Sequence, residues 1–164
     1  MTSSAPHRIL FVCTGNICRS PTAEGMLRQM AAARGMAERI EVASAGLEGW
    51  HAGDAPDKRS QAHALRRGCD LSALRARHFS HRDFERHDWV IAMDAGHHQE
   101  LRALCPPAQR HKLRRAADFA ASVPAGGVPD PYYGDASDFE TVLDMVEALC
   151  AGILEAVVTA PPRR

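Results

Sequence analysis

The sequence has no net charge, since 20 Lys and Arg balance 20 Asp and Glu. Nothing global therefore argues for a nucleic acid or an anionic membrane as partner. The basic clusters at Arg66-Arg67, Arg75 to Arg82 and Arg110 to Arg115 are interrupted by histidines and apolar residues, as solvated helix faces and loops are. No apolar run approaches the ~20 residues that a membrane-crossing helix needs, so no membrane insertion is expected. The segment Met1 to His7 is short and polar, without the charged-then-apolar pattern of a secretory leader. There is also no C-x-x-C pair. The five cysteines, at 13, 18, 69, 105 and 150, are odd in number and scattered, which argues against a zinc ribbon or a thioredoxin-type motif and fits a reducing cytosol. The nine histidines are dispersed too. Neither His78 with His81 nor His97 with His98 has an acidic or thiol partner close in sequence, so no metal is expected and these histidines read as surface residues.

What remains is a pattern of alternating elements. Ile9 to Val12 is a short apolar run that suits a buried strand. Thr22 to Arg34 has helical spacing of Ala23, Met26, Leu27, Met30 and Ala31 and stops at Gly35. Ile40 to Ala45 reads as a second strand, Asp57 to Arg67 as a weaker helix, and Leu71 to Arg86 as loop with a short helical turn. Trp89 to Met93 is a third strand, followed by a helix from Asp94 to Leu104 that Pro106-Pro107 stops. His111 to Arg115 is a fourth, short strand. A final helix runs from Ser137, where Ser137 and Glu140 have capping-box spacing, to just before Pro161. Strands alternating with helices predict an α/β fold with a parallel sheet covered by helices on both faces. At 164 residues one domain is expected, spanning 1–164, with flexible tails at 1–6 and 161–164.

The chemistry concentrates between the first strand and the first helix, in Cys13, Thr14, Gly15, Asn16, Ile17, Cys18, Arg19 and Ser20. Pro21 follows, a residue suited to a helix's first turn. A thiol at that turn faces backbone N–H groups without intrahelical partners, which attract anions and favour the reactive thiolate. Arg19 adds a planar fork that matches two phosphate oxygens. A nucleophile and an oxyanion cradle thus share one loop, and in open parallel sheets ligands bind at that end of the strands. Hydrolysis of a phosphate ester further needs a proton donor. Ala116 to Ala136, rich in Ala, Gly and Pro and without periodic pattern, has the length of a functional loop and contains Asp130-Pro131-Tyr132-Tyr133. Asp130 is the candidate acid, and the same carboxylate can later activate water. Ser20 can donate to the thiolate or cap the helix.

Cys-x5-Arg-Ser, here from Cys13 to Ser20, together with Asp130-Pro131-Tyr132-Tyr133-Gly134, resembles the low-molecular-weight protein tyrosine phosphatases. The resemblance extends through Ser44-Ala45-Gly46, Trp50-His51, Met93-Asp94 and Asp138-Phe139-Glu140. It implies a four-stranded parallel sheet with flanking helices and no cofactor. It implies a phosphocysteine intermediate on Cys13, phosphate binding by Arg19 and the loop Thr14 to Cys18, and acid-then-base catalysis by Asp130. Asn16 would hold the loop in shape, with Ser20 and Ser44 in the supporting hydrogen-bond network. Trp50, Tyr132 and Tyr133 would line the slot for a phosphotyrosyl ring, and Cys18 would protect Cys13 through a reversible disulfide. Relatives acting on phosphoarginine tend to carry Thr in place of Ile17 and to lack the tyrosine pair, so these residues point to phosphotyrosine. Leu74 departs from the pattern, standing where many relatives have a histidine ahead of an Ala-Arg pair.

The partners this implies are phosphotyrosine-containing proteins, a cognate tyrosine kinase that could also modify Tyr132 or Tyr133, and no nucleic acid. A cytoplasmic monomer or weak dimer is expected. Two rivals share the scaffold. An arsenate reductase would need relay cysteines, and Cys69 and Cys105 lack a close pair; a non-catalytic phosphotyrosine-binding module would be expected to have lost Cys13, Arg19 or Asp130.

Overall fold

Seven residues from His7 to Cys13 form the central strand β1, and its alternation decides the layering. Ile9, Phe11 and Cys13 point to one face of the sheet, Leu10 and Val12 to the other. The structure, a computed structural model, describes residues 5–161. It contains one four-stranded, all-parallel sheet in the order β2-β1-β3-β4, with β2 at Ile40–Gly46, β3 at Trp89–Ala92 and β4 at Leu113–Arg115. The helices are α1 (Arg19–Ala33), α2 (Lys58–Arg66), α3 (Arg82–Arg86), α4 (Ala95–Leu104) and α5 (Ala136–Thr159). Residues of α1, α2 and α5 cover the Phe11 face, and those of α3 and α4 the Val12 face, each with its own buried apolar cluster. Among the described residues no helix is long and apolar enough to cross a membrane. Of the tails expected at 1–6 and 161–164, residues 1–4 and 162–164 lie outside the described residues.

Several elements differ in detail from the expectation. The third strand ends one residue early, at Ala92, and only Leu113–Arg115 of the fourth pairs, because Pro107–Lys112 winds into 3-10 turns. The cap of α5 is Asp135, not Ser137. The Asp135 carboxylate accepts from the N–H groups of Ser137 and Asp138, and Asp138 accepts from Asp135 N in return. An ionised carboxylate is the stronger acceptor for orphan helix N–H groups and also suits the positive end of the dipole. Ser137 donates its hydroxyl to Asp135 instead. Glu140, thereby placed inside the helix, bridges to His63 and Arg67 and ties α5 to α2.

The long segment from Ala116 to Ala136 is held to the body at two places. Val128 N donates to Met93 O at 2.8 Å and Ala95 N to Gly126 O at 3.2 Å, with Gly127 between them at φ 97°. A side chain at 127 would collide with Met93 and Asp94, so glycine is needed there for both backbone angle and space. Earlier in the segment, Phe119 lies against α5 at Gly152. Alanine in a helix interior normally gains about 1 kcal/mol over glycine, but a methyl group at 152 would run into the Phe119 carbonyl. Gly152→Ala is therefore expected to destabilise by about 1–3 kcal/mol, the size of a steric overpacking penalty. Urea denaturation would show this as an earlier midpoint; a later midpoint would mean that the segment yields freely.

Candidate active site

The strand order reverses between β1 and β3, since β2 follows β1 on one side while β3 pairs on the other. A crevice opens at the carboxyl ends of the strands where such a reversal occurs. The Cys13–Ser20 loop emerges into it from β1, and Asp94 with the start of α4 enters from β3. Together with Trp50, His51, Asp130 and the two tyrosines, the loop lines a cavity of about 310 Å³.

Behind the loop, hydrogen bonds run in a definite direction. Asn16 stands at φ 58°, a left-handed conformation that asparagine tolerates better than most residues. Its Nδ2 donates to Ser20 Oγ and to Ser44 Oγ, both at 2.8 Å, and its Oδ1 accepts from Arg77 N at 2.9 Å. Because Nδ2 can only donate, the Ser20 hydroxyl hydrogen is free for Cys13 Sγ, 2.9 Å away. The Ser44 hydroxyl likewise donates to Glu24 Oε1 at 2.6 Å, and Glu24 Oε2 accepts from Arg28. One amide thus directs hydrogens outward to two acceptors, the Cys13 sulfur and the Glu24 carboxylate. Leu74 packs against the apolar core and takes no part; Arg28 is the cation that closes this network. Asp57 N donates to Ile17 O at 2.8 Å, fixing the loop to the cap of α2.

Arg19 is only 4% exposed. Its Nη1 donates to Asp94 Oδ2 at 2.7 Å and to Val128 O at 3.0 Å. Its Nη2 lies 3.5 Å from His97 Nε2 and 3.7 Å from Asp130 Oδ2. Burial disfavours the charged Asp94 carboxylate, but the His97 N–H and the Arg19 guanidinium outweigh it and hold that carboxyl below the usual range. Asp130 is half-exposed; its Oδ1 accepts from Tyr132 N at 3.1 Å, an Asx turn that aims the carboxylate inward.

The rim is aromatic. Trp50 is 74% and Tyr133 95% exposed, while Tyr132 is less so and packs edge-on against Tyr133 with centroids 4.9 Å apart. The Arg59 guanidinium, fixed by Asp57, lies 5.4 Å from the Tyr132 ring centre. Ile17 adds apolar surface to the same cavity. Cys18 lines the same cavity; burial first, then the charge of Asp57, pushes its thiol up to about 12. Burial also raises Cys69, to about 11, and Cys105 and Cys150.

The structure brings together every loop residue singled out in the sequence, with Ser44, Trp50, Asp130, Tyr132 and Tyr133. It also places there four residues to which the sequence assigned no role: Glu24, His51, Asp94 and His97. His97 overturns an expectation, being 5% exposed where a surface histidine was expected. Its burial follows from helical geometry. Asp94 caps α4 by accepting from His97 N, which turns the ring of His97 back over the cap and onto Arg19. Among the described residues no cluster of His, Cys, Asp and Glu is arranged to hold a metal ion.

Residues 8–161 match the sequence profile described as "Low molecular weight phosphotyrosine protein phosphatase". The chain is 45% identical over 157 residues to a Streptomyces coelicolor protein named low molecular weight protein-tyrosine-phosphatase, covering 92% of this chain and 93% of that one. It is 33% identical to the human low molecular weight phosphotyrosine protein phosphatase, over 94% and 98% of the two chains. Among solved structures, a protein tyrosine phosphatase from Entamoeba histolytica with Hepes in its active site aligns with a TM-score of 0.89 at 32% identity, covering 93% of this chain and 97% of that one.

Proposed function

The chain belongs to the low molecular weight phosphotyrosine protein phosphatase family, and from that premise we propose that residues 1–164 act as one domain that hydrolyses phosphotyrosyl proteins through a phosphocysteine on Cys13. The observation that carries this reading is the meeting of a thiol, a buried guanidinium and a carboxyl in one aromatic-rimmed cavity.

The Arg19 guanidinium spends both Nη1 hydrogens on Asp94 and Val128, which leaves Nε–H and Nη2 as the edge that meets two phosphoryl oxygens. The N–H groups at the start of α1 take up the remaining charge. The Cys13 thiolate, supported by the Ser20 hydroxyl, forms a bond to phosphorus as the bond to the tyrosyl oxygen breaks. Asp130 gives that oxygen its proton and leaves as a carboxylate. It then takes a proton from water, whose oxygen attacks phosphorus and breaks the P–S bond, releasing inorganic phosphate and restoring the thiolate. Ile17, Trp50, Tyr132 and Tyr133 line the same cavity as Cys13 and offer apolar surface to the ring of a phosphotyrosyl group.

Cys18 serves as the resolving thiol. A peroxide gives one oxygen to the Cys13 thiolate and is itself reduced, leaving a sulfenic acid from which the Cys18 thiol displaces water to form a disulfide that a cellular dithiol reduces. Such recycling suits a reducing cytosol, where the protein works as a monomer or weak dimer opposite a tyrosine kinase. The arsenate-reductase alternative gains no support from Cys69, Cys105 and Cys150, none of which lines the cavity that holds Cys13 and Cys18.

The substrate class is tested by comparing phosphotyrosyl, phosphoseryl and phosphoarginyl peptides of matched sequence. A slot lined by rings favours the first by on the order of 10²-fold in kcat/KM. Equal rates on the three would remove the phosphotyrosine assignment.

A further inference from the structure

His97 enters the site from a separate strand end and is used by no step above. Its Nε2 lies 2.9 Å from Thr14 Oγ1 and 3.5 Å from Arg19 Nη2, and its Nδ1 lies 3.2 Å from Asp94 Oδ1. An arginine offers only donors, so the nitrogen facing Arg19 carries the lone pair. The ring hydrogen then sits on Nδ1, toward Asp94, where it has no well-aligned hydrogen bond among the described residues. With Nε2 an acceptor, the Thr14 hydroxyl is its donor.

We propose that His97 is a positioning residue: the Nε2 lone pair takes one hydrogen from Thr14 and one from Arg19, and so sets both the plane of the guanidinium and the first residue of the loop after Cys13. The inference rests on the phosphatase reading for the role of Arg19. Asp94 and His97 grip the guanidinium from its two ends, one at Nη1 and the other at Nη2. The free Nε–H and second Nη2–H are thereby held toward the cavity before any phosphate arrives. The charged groups acting on the ring are Arg19 from α1, Asp94 at the start of α4 and Asp130 from the segment beyond β4. Burial first, then Arg19, pushes the imidazole down to about 4, against the two carboxylates. It is therefore neutral at neutral pH. A proton on Nε2 would set N–H against N–H at Arg19 and remove the acceptor for Thr14.

Two substitutions separate positioning from bulk. His97→Leu fills the space without an acceptor, whereas His97→Gln, whose amide reaches the place of Nε2, keeps an acceptor that does not titrate. The affinity for inorganic phosphate, measured by calorimetry, reads the cradle without turnover. His97→Leu is expected to weaken phosphate binding and raise KM about tenfold, the size of one hydrogen bond to a charged group, with a smaller fall in kcat. His97→Gln should return affinity to within about threefold of the parent. Thr14→Val removes the other end of the same bond, and its effect should not add to that of His97→Leu. The ratio of parent to His97→Gln phosphate affinities cancels the ionisation of the anion; it should be flat near neutrality and fall below about pH 5 as His97 takes up a proton. Unchanged phosphate affinity in His97→Leu, equal losses in both variants, additive effects with Thr14→Val, or a flat ratio would each overturn the proposal. Should the phosphatase reading itself fail, the parent protein would bind phosphate yet not turn over phosphotyrosyl peptides, a result independent of the order of these affinities.

Discussion

Cys13→Ser protein is expected to bind inorganic phosphate within a few fold of the parent and to turn over no aryl phosphate at a useful rate. The loss in kcat should be on the order of 10⁴-fold or more, as for removal of a covalent nucleophile elsewhere. The geometry separates the two quantities. Phosphate affinity comes from the Arg19 guanidinium, held by Asp94 and Val128, and from the start of α1, none of which the substitution touches. Serine is smaller than cysteine, and its oxygen can keep the bond from Ser20 Oγ, now 2.9 Å from sulfur. A hydroxyl, however, is a far weaker acid than a thiol, and the partner at its side, the Ser20 hydroxyl, is no base. Rapid-quench experiments with labelled substrate should show a phosphoenzyme in the parent and none in the variant. Turnover by the variant at a rate near the parent's would exclude Cys13 as nucleophile. The same variant, which binds without hydrolysing, is the tool for capturing the proteins on which the enzyme acts.

The second large effect concerns Asp130. With Asp130→Ala, a leaving group such as phenolate, which needs its proton in the transition state, should depart 10²–10⁴-fold more slowly, the usual range for loss of a general acid. Nitrophenolate needs much less help and should lose far less. A plot of log kcat/KM against leaving-group acidity should therefore steepen in the variant. Parallel plots would assign Asp130 to structure, a role with its own support, since its Oδ1 already accepts from Tyr132 N. Asp130→Asn distinguishes further, because it keeps that turn and loses only the proton.

The residues legible in the sequence are those that lie close together along it. Cys13 to Ser20 is contiguous, so its strand, turn and helix could be read directly. Asp130 was legible through its neighbours Pro131, Tyr132 and Tyr133. Ser44 lies in β2 and Trp50 shortly after it, and β2 is the strand paired with β1 and next after it in sequence. His97 and Asp94 were not legible as site residues because their approach depends on strand order. Nothing local in Trp89–Ala92 says that it lies beside β1, on the side opposite β2. Glu24 was hidden in a different way: on α1 it reads as a solvated acid, and only Ser44 from the neighbouring strand and Arg28 one turn on give it partners. The start of α5 misled because Ser137 and Glu140 match a capping box by type and spacing. The competing acceptor two residues earlier, Asp135, carries a full charge and wins.

The contact between Arg19 Nη1 and Val128 O gives the site a fixed measure. Asp130 lies two residues past a carbonyl that is fastened to the phosphate clamp, and two residues of extended chain span about 7 Å. The carboxyl can swing only within that radius, so its reach is set by the short tether from Val128 and hardly by the long stretch that precedes it. An insertion between the exposed Ala121 and Ser122 would lengthen the turn at the surface and leave proton delivery in register. A single residue added at Pro129 would carry the acid out of step with the clamp, although the loop as a whole had barely changed its size.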